Sequence, residues 1–140
     1  MNWKKIIIST FATGLVLLSL WIAWSTIVPM VFPNYDPMTL PGMRAVNDPV
    51  MGLFYLYPFI VALAFSITFH FVGHAFERES VHKQGIHFGL LMWLLITLPL
   101  MYMIYTTMTY GETFLLTNTI GQLVDFSIAG IVIANVFARR

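Results

Sequence analysis

Residues 51–76 read MGLFYLYPFIVALAFSITFHFVGHAF, an apolar stretch with two histidines near its end, and the charged cluster ERESVHK follows at 77–83. About 20 mainly apolar residues suffice for a helix to cross the hydrocarbon of a bilayer. Three further stretches of the chain reach this length, at about 6–32, 87–110 and 113–138. The sequence therefore predicts an all-α fold, a four-transmembrane-helix bundle forming a single integral membrane domain over residues 1–140. Prolines at 33, 37, 41 and 49 exclude a continuous helix over residues 33–49, which we expect to be an outer loop.

The composition agrees with a membrane protein. Hydrophobic residues make up 59% of the chain and charged residues only 9%, whereas a soluble domain carries about 25% charged residues. A water-soluble fold of this size has too much surface for its volume to bury so many apolar side chains. The chain has no cysteine, which excludes disulfides, thiolate metal sites and cysteine nucleophiles. No basic run points to nucleic acid.

The basic residues predict the orientation. Of the 7 lysines and arginines, only Arg44 falls in the outer loop. The others fall at the opposite ends of the predicted helices, at Lys4, Lys5, Arg78, Lys83, Arg139 and Arg140. Basic residues in short loops and tails mark the cytoplasmic side, so we expect both termini to be cytoplasmic. The first apolar segment is longer than a signal peptide core and lacks its cleavage pattern, so we expect a retained helix.

Three histidines are candidate ligands. Ser66, His70 and His74 recur every four residues along the second helix, and a tight hairpin would bring His87 back to the depth of His74. Such imidazoles could hold zinc, copper or a haem iron. The H-x-x-x-H spacing lacks the glutamate of H-E-x-x-H, and hydrogen-bonded histidines at the headgroup boundary are the simpler interpretation. We therefore predict no cofactor and no metal, and keep the haem or metal site as an alternative.

Asp125 stands near the middle of the fourth helix, where an ionised carboxylate facing lipid costs about 2.5–3.5 kcal/mol. Asn118, Gln122 and Asp125 lie on one helical face, which we expect to point into the bundle or a subunit contact. Counting from the cytoplasmic ends places Ser66 near Asp125 in depth. Pro99 should free a backbone carbonyl near Leu95, within reach of a neutral Asp125. Asp125 is either a proton or cation site or a neutral carboxyl that joins helices.

The second half of the chain carries a resemblance. Residues 85–105 read GIHFGLLMWLLITLPLMYMIY, and residues 118–137 read NTIGQLVDFSIAGIVIANVF. They resemble a broad group of small prokaryotic four-helix membrane proteins of unknown function, with a third helix of the type G-x-x-x-G-L-L-x-W-L…L-P and a fourth with spaced glycines. The matching positions are Gly85, Gly89, Leu90, Leu91, Trp93, Leu94, Leu98, Pro99, Gly121 and Gly130. The resemblance implies a prokaryotic cytoplasmic (inner) membrane and assigns no functional residues.

No arrangement of nucleophile and base and no glycine-rich phosphate loop is recognisable in the sequence. We therefore predict a non-enzymatic small integral membrane protein, an accessory or structural subunit packing within a larger membrane complex. Its partners would be lipids and other integral membrane proteins or its own copies, not nucleic acid. Two alternatives remain: a homo-oligomeric proton- or cation-coupled transporter or channel using Asp125, and a metal- or haem-binding protein using His70, His74 and His87.

Overall fold

A computed structural model describes residues 2–76 and 78–138 and contains four long helices in that part of the chain. They are α1 (Trp3–Val31), α2 (Pro49–Phe76), α3 (Val81–Thr107) and α4 (Glu112–Ala138). All four are long and apolar enough to cross a membrane, and the described residues form no strand. The predicted all-α, four-helix class is confirmed. The chain is a small multi-pass membrane protein.

The two ends of the bundle differ in character. Lys5 near the start of α1 donates from Nζ to the carbonyl of Phe137 near the end of α4, at 2.7 Å. An ammonium group at a helix C-terminus satisfies a carbonyl that has no partner within the helix. Residues 2 and 138 therefore lie at the same end, together with Arg78 and Lys83, and we call this the basic end. The opposite end, which carries residues 32–48, is the loop end. Arg139 and Arg140 lie outside the described residues.

The largest difference from the predicted boundaries is at α3, which begins at Val81 and not near residue 87. Ser80 adopts an extended backbone and accepts the first helical hydrogen bond from Gln84 N at 2.9 Å. His82, Lys83 and Gln84 lower the local hydropathy but do not oppose helix formation, so the helix starts before the apolar pattern does.

Neither α2 nor α3 is a uniform α-helix. Helix α2 opens with a 3₁₀ segment, Pro49–Leu56, continues as α-helix over Tyr57–Val72 and closes with a second 3₁₀ turn, Gly73–Phe76. Helix α3 contains a π-helical turn at Trp93–Thr97, in which Leu98 N donates to the carbonyl of Trp93. Pro99 follows directly and has no N–H to donate to Leu95, so the widened turn falls where the α-helical bonding is already interrupted.

Helix α4 occupies the centre, packing against α3 on one side and α1 on the other, while α2 packs against α1. Glycines set the closest approach, between α3 and α4. A Cβ on Gly85 would lie 2.6 Å from Ile131 N, and one on Gly89 would lie 2.6 Å from Ser127 Cα. These backbones touch as small residues allow membrane helices to do. The four-residue spacing of Gly85 and Gly89, and of Gly130 and Ala134, predicts such a seam from sequence, and the close contacts of Gly85, Gly89 and Gly130 confirm it.

Phenylalanine rings connect α2 with α3 and α4, and away from the hairpin that joins them the backbones of α2 and α3 stay apart. Phe65 lies edge-to-face against Phe126 at 4.7 Å between ring centroids, and Phe69 lies against Phe88 at 5.0 Å. These rings belong to the main core cluster, which is built from the halves of the helices nearest the basic end. Toward the loop end, Leu98–Thr107 of α3 contacts α4 far less than Val81–Met92 does. The bundle is therefore tightly packed at the basic end and more open at the loop end.

The outer loop has ordered turns. Asp36 and Asp48 each precede a proline and accept a backbone N–H two residues on, from Met38 at 2.8 Å and Val50 at 2.9 Å. Each aspartate thus starts a short 3₁₀ helix, with proline supplying a suitable φ at the first position. Tyr110 Oη donates to the carbonyl of Pro41 at 3.2 Å, which joins this loop to the turn between α3 and α4.

Candidate functional site

Asp125 of α4 is hydrogen bonded to α1. The indole Nε1 of Trp24 donates to Asp125 Oδ1 at 2.9 Å, and both side chains are half-buried. The partner is therefore not the carbonyl near Leu95 that the position of Pro99 suggested. Tryptophan favours the membrane–water interface, but Trp24 turns inward over Gly121 of α4, 3.7 Å from the position of a Cβ there.

Asp125 also borders a cavity of about 260 Å³ between α1, α2 and α4. The polar part of its lining comes from one face of α4, from Asn118, Gln122 and Asp125. The aromatic part comes from α1 and α2, chiefly Trp21, Phe54 and Tyr57. Phe54 and Tyr57 are both exposed, so the cavity opens along this aromatic side. The face predicted from the spacing of three polar residues thus lies against a cavity and not in a closed helix contact.

The two amides on this face have different partners. Gln122 Oε1 accepts a hydrogen bond of 2.8 Å from Thr97 Oγ1, on the π-helical turn of α3. Thr97 is completely buried. Asn118 Nδ2 instead donates to the carbonyl of Phe114 in its own helix, at 2.9 Å. One polar face of α4 therefore reaches α1 through Asp125 and α3 through Gln122.

Pro99 itself is exposed and makes no polar contact in the site. Its effect is indirect, because the π-helical turn before it adds a residue to the helical turn and changes which side chains face α4. Trp93 and Thr97, at the two ends of that turn, both face α4, and Trp93 Nε1 donates to the carbonyl of Thr119 at 2.9 Å.

Ser66 bonds to a different part of α1 from Asp125. Its hydroxyl accepts a hydrogen bond of 2.8 Å from that of Ser9, and both side chains are fully buried. Ser66 therefore pairs with residue 9 of α1, whereas Asp125 pairs with residue 24, on the loop-end side. The rings of Phe65 and Phe126, the sequence neighbours of Ser66 and Asp125, lie 4.7 Å apart between centroids, in agreement with the similar depth that counting from the helix ends predicts.

The histidines do not converge. His70 is half-buried beside the ring of Phe137, with 6.3 Å between centroids, and His74 is exposed. His87 is exposed and pairs through Nδ1 with Glu79 Oε2 at 2.6 Å. The 3₁₀ turn that begins at Gly73 changes the side-chain spacing between His70 and His74, so their four-residue separation does not keep them on one face. Within residues 2–76 and 78–138, no three potential metal ligands of the His, Cys, Asp or Glu type lie together.

Sequence reasoning missed Trp24, Trp21, Tyr57 and Thr97 as site residues. One signal for Trp24 was available. An indole N–H inside a bilayer needs an acceptor, and Asp125 is the one acidic residue far from any helix end.

No family model, no curated protein and no solved structure matches this chain. The resemblance of residues 85–137 to small prokaryotic membrane proteins therefore stays a prediction.

Proposed function

We propose that this chain is a non-enzymatic structural subunit that packs within a larger assembly of a prokaryotic cytoplasmic membrane. The proposal rests on one observation, that polar side chains inside the bundle form hydrogen bonds between helices. Three of these side chains bond to a helix other than their own: Asp125 and Ser66 bond to α1, through Trp24 and Ser9, and Gln122 bonds to α3 through Thr97. Side chains of this kind hold membrane helices together.

A proton-conducting role for Asp125 would need a connected series of exchangeable groups along the bundle. Within the described residues, no hydrogen bond joins the Trp24–Asp125 pair to the Ser9–Ser66 pair. The rings of Phe65 and Phe126, neighbours in sequence of Ser66 and Asp125, are in contact with each other. This arrangement favours a structural role over conduction.

The loop end is the side on which we place the partner. Leu98–Thr107 of α3 makes few contacts with α4. Tyr102 and Tyr105 lie on this segment, three residues apart on one face, and their exposed fractions are 71% and 68%. Aromatic side chains offer large contact areas at interfaces. We assign this face to a transmembrane helix of another membrane protein.

Site-specific photocrosslinking in native membranes tests this assignment. A photoreactive phenylalanine at Tyr102 or Tyr105 should give a discrete adduct with a second protein. Matched controls are Phe11 and Phe71, which are 62% and 59% exposed but belong to the halves of α1 and α2 nearer the basic end. They should give lipid adducts only. Adducts at all four positions, or at none, would refute the assignment. An adduct with a second copy of this chain would show that the face forms a homo-oligomer and would refute a different membrane protein as the partner.

A further inference from the structure

The cavity beside Asp125 has a carboxyl oxygen available at its polar side. Trp24 Nε1 donates to Oδ1 of Asp125, and the part of the chain that the structure describes gives no partner to Oδ2. Asp125 lines the cavity. A carboxyl oxygen without a partner suits a ligand group that donates hydrogen bonds.

The charge of the cavity lining favours a positively charged ligand group. The cavity-lining residues include one carboxyl and no lysine, arginine or histidine. A carboxylate in a medium of low dielectric constant attracts a cation far more strongly than it does in water. The Trp24 N–H bond fixes the orientation of the Asp125 carboxyl group, and an ammonium ion beside that group would form a charge-assisted hydrogen bond.

The opposite wall of the cavity is aromatic. Trp21 and Phe54 lie edge-to-face with 4.6 Å between ring centroids, and Phe54 stacks on Tyr57 at 6.0 Å. Rings of this kind attract cations to their faces and accommodate an apolar body beside them. The volume of about 260 Å³ lies just below the ~300 Å³ at the lower limit of pockets for drug-sized ligands.

From these three features we infer that the cavity is a binding site for a small organic ammonium ion with an aromatic or short aliphatic body. The ammonium group pairs with Asp125, and the apolar body lies against Trp21, Phe54 and Tyr57. This inference does not depend on the subunit role, since a site of this kind can exist in a structural protein as well.

The test compares 2-phenylethylammonium with neutral 2-phenylethanol, which has nearly the same shape. Full-length protein in phosphatidylcholine nanodiscs is titrated calorimetrically with each, and empty nanodiscs correct for partitioning into lipid. We expect the ammonium compound to bind at least about tenfold more tightly than the alcohol. Equal affinities, or no saturable binding of the ammonium compound, would overturn the proposal.

Two variants locate the site. Asp125→Asn should remove the preference for the ammonium compound and leave the affinity for the alcohol unchanged. Tyr57→Ala should weaken binding of both compounds, whereas Tyr105→Ala, an exposed tyrosine away from the cavity, should change neither. An unchanged preference in Asp125→Asn, or equal effects of the two tyrosine variants, would place binding elsewhere. If Asp125→Asn does not fold, the tyrosine pair still decides the outcome.

Discussion

At the scale of single residues, Trp24 and Asp125 supply each other's hydrogen-bond partner between α1 and α4. We expect Asp125→Leu to destabilise the protein because it leaves the Trp24 N–H without its acceptor, whereas asparagine keeps a carbonyl oxygen there. Hydrogen bonds between membrane helices contribute about 0.6 kcal/mol on average and up to about 1.7. We expect Asp125→Leu to lower the free energy of unfolding, measured in mixed micelles, by an amount within that range. Asp125→Asn should change it little.

The control is Thr107→Val, because that hydroxyl is exposed and bonds only within its own helix. A double-mutant cycle with Trp24→Phe isolates the pair. Should Asp125→Leu cost as much in the Trp24→Phe background as in the native chain, the bond is not what stabilises the contact. An Asp125→Asn protein that assembles normally but causes loss of function in cells would favour the transport alternative.

The histidines give a second prediction at this scale. We expect the purified protein to be colourless and to carry no stoichiometric transition metal, because His70, His74 and His87 have separate environments and His87 pairs with Glu79. Absorption spectroscopy and elemental analysis of protein from native membranes measure this directly. A Soret band that disappears in His70→Ala or His74→Ala would contradict it and establish a haem site.

At the scale of the helices, the contact between α3 and α4 depends on glycine. In Gly89→Ala the new methyl group would lie 2.6 Å from Ser127 Cα, so the helices must separate. Overpacking of this kind costs about 1–3 kcal/mol, and we expect a loss of that size in the free energy of unfolding. Gly52→Ala is the matched control, since a Cβ there has nothing within 4 Å. Equal effects at the two positions would mean that close packing at Gly89 is unimportant.

The sequence predicted those features of the helices that depend on composition and spacing. Apolar length gave four spans, and the four-residue recurrence of small residues identified the seam at Gly85 and Gly89. Each is a local property of one helix.

The missed features depend on more than one helix or on a change of helix type. The Trp24–Asp125 bond joins positions 101 residues apart, and no pattern within either helix encodes their common depth. The π-helical turn at Trp93–Thr97 and the 3₁₀ turn at Gly73 rotate the side chains that follow. A constant helical period therefore placed His74 on the wrong face. The cavity is likewise a property of three packed helices.

At the scale of the whole molecule, the orientation in the membrane is a prediction from Lys4, Lys5, Arg78 and Lys83, together with Arg139 and Arg140. The native chain has no cysteine, so a single introduced thiol is the only one present. Cysteine at Thr39, in the outer loop, should react with a membrane-impermeant reagent on intact cells, whereas cysteine at Ser80 should react only after lysis. Both positions are exposed in the fold. Labelling at 80 but not at 39 in intact cells would reverse the orientation.

The hydrogen bond between Trp24 of α1 and Asp125 of α4 also affects the order in which the bundle can assemble during synthesis. Trp24 enters the membrane early in synthesis, and its acceptor is made 101 residues later. At ~5–20 residues per second, the ribosome needs roughly 5–20 s to supply it. During that interval the Trp24 indole has no acceptor. The partner of Ser9 becomes available sooner, because Ser66 follows Ser9 by 57 residues. We therefore expect α1 to pair with α2 before either helix can pair with α4. A ribosome stalled before the fourth helix would leave a three-helix chain with an unsatisfied indole for membrane quality control to recognise.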